Sequence, residues 1–364
     1  MQPVHVVYGG AHLFKASTCA KLGELARKAM TEFDLAAALG LSAEVAGHVT
    51  DKLQREPLED FRIDFEDGFG TRPDDEEDAT AVAAAKEMAS AILPRFCGIR
   101  IKQGQRGLRT LRLFFDALTG PLPENFIVTL PKVTSTSEVV ALAGALKHRA
   151  GIKVEIMIET PLAPARALEL ANAADGRCWA VHFGAYDYLA SLGIAAQDLR
   201  HPACDYARLQ MLTAVAGSGI WLADGATNQL PLPIHRGPSL TSDQRQQNRE
   251  AIHSAWKLHY KNVRWGFYNG FYQGWDLHPA QIPARYAAAF SFFLEGMPKA
   301  IERLKSFVES AAKASHVQGA FDDAATGRGL RNYFRRAHAC GLALDTDPLV
   351  TELERLLKID TGNY

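Results

Sequence analysis

Short apolar runs alternate along this chain with longer amphipathic segments, and that alternation limits the folds open to it. The runs lie at 4–8, 61–65, 97–102, 125–130, 153–158, 178–183, 220–223 and 273–277. Helical patterns lie between them, at 18–41, 78–93, 137–148, 164–173 and 206–216. Parallel strands need crossover connections, so strand–helix alternation predicts a parallel sheet. Eight such strands in one stretch predict a closed (β/α)8 TIM barrel. The alternative is an open doubly wound sheet with a glycine fingerprint after its first strand. Here Tyr8-Gly9-Gly10-Ala11 stands in that place and does not match GxGxxG.

Further helical patterns follow the eighth run, at 297–315, 329–340 and 348–358. The expected division is a catalytic barrel over 1–296 and a C-terminal helical extension over 297–364. A length of 364 residues and a 47% hydrophobic content suffice for such a core. The net charge of -1 leaves no footprint for nucleic acid or an anionic membrane. No apolar stretch is long enough to span a bilayer, and no basic-then-apolar leader opens the chain. The expected location is cytoplasmic. Five cysteines, scattered and without a CxxC pair, predict reduced thiols rather than zinc or disulfides.

Nearly every run ends in charged or hydrogen-bonding groups: Asp64-Phe65-Glu66-Asp67-Gly68, Arg100-Ile101-Lys102, Pro131-Lys132, Glu159-Thr160-Pro161, Gly184-Ala185-Tyr186-Asp187, Asp224-Gly225 and His278-Pro279. In a barrel these share the C-terminal rim, where active sites lie. Burying so many charges without partners is costly, so a purely structural ring is a poor explanation. Glu159 and Asp187, from adjacent strands, form a pair that can hold Mg2+ or Mn2+ beside water and substrate oxygens. Arg100 has the fork geometry to clamp a carboxylate, and the Gly184–Ala185 backbone can approach the same anion.

The phrases RIDFEDGFG, GIRIK, TLPKV, MIETP, HFGAYDYLASLG, LADG and WDLHPAQI occur in the order expected of one family. Together they resemble the HpcH/HpaI aldolase and citrate lyase family, over about residues 4–295. The resemblance implies a phosphoenolpyruvate/pyruvate-type barrel that makes or breaks a carbon–carbon bond beside a carbonyl, with magnesium or manganese. It assigns Glu159 and Asp187 as metal ligands, Arg100 as the substrate-binding arginine, and Glu66 and Asp67 as the paired acids of strand two. It also implies a homo-oligomer, trimer or hexamer. The substrate is then a 2-oxo acid or a hydroxyacyl thioester, including a coenzyme A thioester.

In that reading the metal and Arg100 offset charge on an enolate. His12 and Glu66 are the candidates for the base, with Asp67 orienting one of them. Lys132 is expected to pair with Glu66 or Glu159 or to touch substrate, because nearby carboxylates oppose the lowered pKa a Schiff base needs. Asp224 either contacts substrate or caps its turn. Polar residues 321–327 are expected to form a lid over the rim, with Asp322 or Asp323 touching substrate or the base. Two other classes stay open. One is a phosphotransferase or hydrolase with Gly104–Gly107 as phosphate cradle. The other is a non-catalytic barrel.

Overall fold

The computed structural model describes residues 2–314, 324–342 and 347–360. Its order is β1 (His5–Gly10), α1 (Thr18–Glu32), α2 (Leu35–Leu39), α3 (Ala43–Arg55), β2 (Asp60–Asp64), α4 (Asp74–Ala89), β3 (Phe96–Arg100), α5 (Gly104–Ala117), β4 (Phe126–Leu130) and α6 (Thr136–Ala145). Then come β5 (Lys153–Ile158), α7 (Ala167–Asn172), β6 (Cys178–Phe183), α8 (Ala185–Ser191), α9 (Pro202–Val215), β7 (Trp221–Asp224), α10 (Ser242–Tyr268), β8 (Gln273–Asp276), α11 (Ile282–Ala314), α12 (Ala324–Ala339) and α13 (Asp347–Asp360). The eight strands are parallel and close in chain order, β8 pairing back onto β1 through Val7 and Asp276. The expected TIM barrel is the fold.

The strands carry two different faces. Phe61, Ile63 and Phe65 of the second strand segment, and Phe126, Val128 and Leu130 of β4, pack into the apolar layer shared with the helices. The alternate residues face the barrel interior, and many are polar. Tyr8 of β1 reaches Glu155 of β5 and His182 of β6 with hydrogen-bond distances of 2.8 and 3.2 Å. Contacts between strands so far apart in a closed ring pass through its middle.

The helical segments differ from the sequence pattern in three places. The pattern at 18–41 is two helices, because Asp34 adopts φ +52° and caps α2 with its side chain. The segment 228–268 contains a long helix, α10, started by a capping box between Thr241 and Gln244. Residues 282–314 form one helix through Pro298, so the division drawn at 296 falls inside α11.

The α12 helix of the extension packs away from the rim. Tyr333 of α12 donates a hydrogen bond to the Phe293 carbonyl of α11. Arg336 donates to Gln2 Oε1 at 2.6 Å and lies 4.5 Å from the Tyr272 ring centroid. Gln2 and Tyr272 precede β1 and β8, so α12 packs at the N-terminal end of the barrel. Asp322 and Asp323 of the expected lid lie outside the described residues.

The join between β8 and α11 is a buried ion pair. Both Asp276 carboxylate oxygens accept from Arg285 Nε at 2.9 Å, and His259 Nε2 stands 3.0 Å from Oδ1. Burial pushes the Asp276 carboxyl upward, but Arg285 and His259 outweigh it and hold the carboxyl below its usual range. The folded pKa lies below the unfolded one, so the contribution is complete above the unfolded value of about 4 and falls away as pH drops toward the folded value. Asp276→Asn is expected to cost about 3 kcal/mol by stranding buried Arg285, read by urea unfolding at neutral pH. The gap between variant and parent should narrow in acid.

Candidate active site

The rim is assembled around one arginine. Arg100 ends β3, is 1% exposed, and meets Asp64 at the end of β2 through a two-pronged ion pair: Nε to Oδ1 at 2.7 Å, Nη2 to Oδ2 at 2.5 Å. The same carboxylate orders the turn beyond β2, accepting from Glu66 N at 3.0 Å and Gly68 N at 2.7 Å. A Cβ on Gly68 would lie 2.6 Å from Asp64 Oδ2, so glycine lets the backbone come this close. Arg100 keeps its third nitrogen, Nη1, toward the rim, 3.1 Å from Glu66 Oε2 and 3.7 Å from Asp67 Oδ2.

Lys132 closes the cluster. Its φ of +50° is in the left-handed region, unusual for a side chain of this size. In this conformation its N–H donates to Glu159 Oε1 at 2.5 Å. Its ammonium pairs with Glu66, lies 3.1 Å from Asp67 Oδ1 and 3.7 Å from Asp187 Oδ2. Burial disfavours the ammonium, but the hydrogen bonds and charges of Glu66 and Asp67 outweigh it and raise the amine. That runs against the lowered amine a Schiff base needs, and the pairing with Glu66 is as expected.

Glu159 is 3% exposed and ends β5; Asp187, in the first turn of α8 after β6, is about half exposed. Burial, reinforced by the charge of Asp187, pushes the Glu159 carboxyl up to about 8 against the opposing Lys132 hydrogen bond. Burial likewise raises Glu66. Asp67 is lowered, because its hydrogen bonds and the charges of Arg100 and Lys132 outweigh burial. Asp64, Glu66, Asp67, Glu159 and Asp187 thus face two cations, Arg100 and Lys132. These donors are all oxygen, which suits a small hard cation that keeps water and ligand oxygens. Among the described residues no group of three or more His, Cys, Asp or Glu forms a metal cage, so the chain would supply the Glu159–Asp187 pair alone. A Cβ on Gly184 would run into the Glu159 carboxylate, which explains the glycine of the β6 turn.

The remaining expected residues are placed as follows. His12 is exposed and stands edge-on to Phe69, 5.6 Å between centroids, beside the turn carrying Glu66 and Asp67. Ala185 is buried at the start of α8, next to Gly184. Of the two roles open to Asp224, its contacts fit the turn cap: Oδ1 accepts from Gly225 N at 2.8 Å and from buried Arg208 Nε at 2.9 Å, tying β7 to α9. His278 caps the turn after β8 by accepting from Ala280 N at 3.1 Å.

Sequence reasoning missed the layer beneath the rim. Tyr8 and Trp275 carry the guanidinium of Arg100 on their faces, at 4.9 and 5.2 Å. Glu155, His182, Thr129, Arg62 and Asp60 fill the interior below. The signal was present: Asp60, Arg62, Asp64 and Glu66 alternate strictly with Phe61, Ile63 and Phe65. A buried parallel strand would ordinarily be apolar throughout.

Comparison with known proteins adds a family and a fold. A family model described as a domain of unknown function, DUF6986, matches residues 1–358. The chain belongs to that family. No curated protein matches it. Among solved structures, a citrate lyase from Burkholderia xenovorans LB400 is 18% identical with a TM-score of 0.60, covering 97% of this chain and 96% of its own. A citrate lyase β subunit from Mycobacterium tuberculosis, complexed with oxaloacetate and magnesium, is 18% identical with a TM-score of 0.48, covering 78% of this chain and 95% of its own. A malate synthase from Haloferax volcanii is 13% identical with a TM-score of 0.46, covering 98% of this chain and 97% of its own. At 18% identity the likeness to the Burkholderia citrate lyase is one of fold. Among the described residues no helix is long and apolar enough to cross a membrane.

Asp64 is predicted to be the site's structural anchor. Asp64→Asn should cost about 3 kcal/mol in denaturant unfolding, since it leaves Arg100 buried without its charge partner. Glu66→Gln, at a partly exposed position, should cost under about 1 kcal/mol by the same measurement.

Proposed function

We propose that this protein is a divalent-metal-dependent carbon–carbon lyase or aldolase acting on a 2-oxo acid or hydroxyacyl thioester through an enolate. The observation that carries the reading is the convergence of Glu159, Asp187, Lys132, Glu66 and Arg100 on one barrel rim. The motif order shared with the HpcH/HpaI aldolase and citrate lyase family supports it. The barrel shared with the Burkholderia citrate lyase is compatible with it but, since one fold hosts many chemistries, does not choose the reaction.

Glu159 and Asp187 would hold Mg2+ or Mn2+, which supplies Lewis-acid stabilisation of charge on a substrate oxygen when bound. Arg100, fixed on one side by Asp64, has Nη1 beside Glu66 at the rim, where a substrate carboxylate would meet it. Glu66 is the base this arrangement favours: burial raises its carboxyl, and Lys132 and Arg100 hold it in place. His12, on Phe69, is the second choice. Lys132 keeps its proton and positions Glu66 and Asp67. The barrel is the catalytic unit and the helical extension braces its far end, with assembly into a homo-oligomer.

The phosphotransferase or hydrolase reading gains nothing from the rim. Gly104–Gly107 is the first turn of α5, and its cation Arg106 is paired with Asp78 and Asp74.

Two measurements test the proposal. Glu159→Gln and Asp187→Asn should abolish magnesium binding by calorimetry while leaving the fold intact; unchanged affinity in both variants removes the site. Arg100→Lys keeps the charge but loses the fork, and turnover should fall about 10²-fold. The assay is release of pyruvate, glyoxylate or acetyl-CoA from hydroxy-oxo acids and hydroxyacyl thioesters with added magnesium or manganese, a panel that separates free acids from coenzyme A substrates.

A further inference from the structure

Arg100 is held from two directions. In its plane, Asp64 takes Nε and Nη2. Its Cζ also lies over the Tyr8 and Trp275 rings, 4.9 and 5.2 Å from their centroids, which are 4.6 Å apart. A cation over two aromatic faces is attracted by both, more strongly when water is excluded.

The rings are in turn fixed from below. The Tyr8 hydroxyl donates to Glu155 Oε1 at 2.8 Å, and Thr129 Oγ1 donates to the same oxygen at 2.8 Å. His182 Nδ1 lies 3.2 Å from the Tyr8 oxygen. Tyr8 has one proton and gives it to the carboxylate, so His182 must donate through Nδ1. The His182 ring meets Trp275 edge-on at 5.9 Å. Glu155 and His182 are 1% and 0% exposed. A simple barrel core needs no buried carboxylate and imidazole here. Apolar residues would pack without desolvating a charge.

We propose that the Glu155–Tyr8–His182 cluster is a positioning device for Arg100. It fixes the plane of the guanidinium, and so the orientation of a bound carboxylate whose neighbouring carbonyl must lie at the Glu159–Asp187 pair. Tyr8 is therefore a positioning residue selective for 2-oxo acid anions, in which the two groups are adjacent. This rests on the reading of Arg100 as the anion clamp.

The test uses the full-length protein and Tyr8→Phe, which keeps the ring and removes the tether. Solvent exchange of the Arg100 Nε–H is followed by nitrogen-15 NMR, with Arg100→Lys to assign the signal. Pyruvate in the presence of magnesium, and magnesium alone, are titrated by calorimetry. In Tyr8→Phe the exchange should quicken about tenfold and pyruvate binding weaken about tenfold, with magnesium affinity unchanged. His182→Asn, which keeps a donor near the Nδ1 position, should preserve slow exchange. Should Tyr8→Phe fail to fold, Thr129→Val loosens the same carboxylate and should quicken exchange in the same sense. Unchanged exchange in Tyr8→Phe, or in Thr129→Val where Tyr8→Phe does not fold, overturns the proposal, as does an equal loss of pyruvate and magnesium affinity. If the parent protein binds no pyruvate, the oxo-acid reading fails, while the exchange measurement still decides whether the cluster positions Arg100.

Discussion

The buried pair between Arg100 and Asp64 is the contact on which the rim depends. Both are at most 2% exposed by side chain, so neither charge is tolerable without the other. Asp64 uses the same two oxygens for Arg100 and for the N–H groups of Glu66 and Gly68. One carboxylate therefore ties β3 to β2, shapes the turn beyond β2, and sets where Glu66 and Asp67 point. Lys132 then bridges that turn to the β5 and β6 ends through Glu159 and Asp187. The rim is one connected network rather than a ring of separate charges.

The two ends of the barrel are built differently. At the C-terminal end, short turns carry carboxylates whose pKa values are driven apart by unequal burial, with Glu159 and Glu66 raised and Asp67 lowered. Such spread marks sites that bind cations or move protons. At the N-terminal end, Arg336 of the extension reaches Gln2 and Tyr272. The long α10 and α11 connect these ends, joined to β8 through Asp276, Arg285 and His259. The charged rim and the packing of α12 are thereby separated along the barrel axis.

Polar residues inside the strands alter how the core works. Tyr8, Glu155 and His182 replace part of an apolar barrel filling with hydrogen bonds that hold specific orientations. Burial makes each of these interactions strong when satisfied and costly when broken. The Arg100 guanidinium lies directly on this layer.

The strands and the identity of the rim residues were legible in the linear order, because strand periodicity and strand-end polarity are local properties. The runs at 153–158 and 178–183 coincide with β5 and β6, and the others fall within a residue or two. Local order also placed Glu159, Asp187, Arg100 and Glu66 at strand ends. It could not decide pairing. Asp224 looked as available as Asp187, yet Arg208 from the next helix claims it, while Asp187 stays half exposed beside Lys132. Where α12 packs likewise depends on Phe293, Gln2 and Tyr272, distant from it in the chain. The interior cluster of Tyr8, Glu155 and His182 unites β1, β5 and β6 only after the barrel closes. Periodicity determines which face of a strand a residue occupies; ring closure alone determines which residues meet across it.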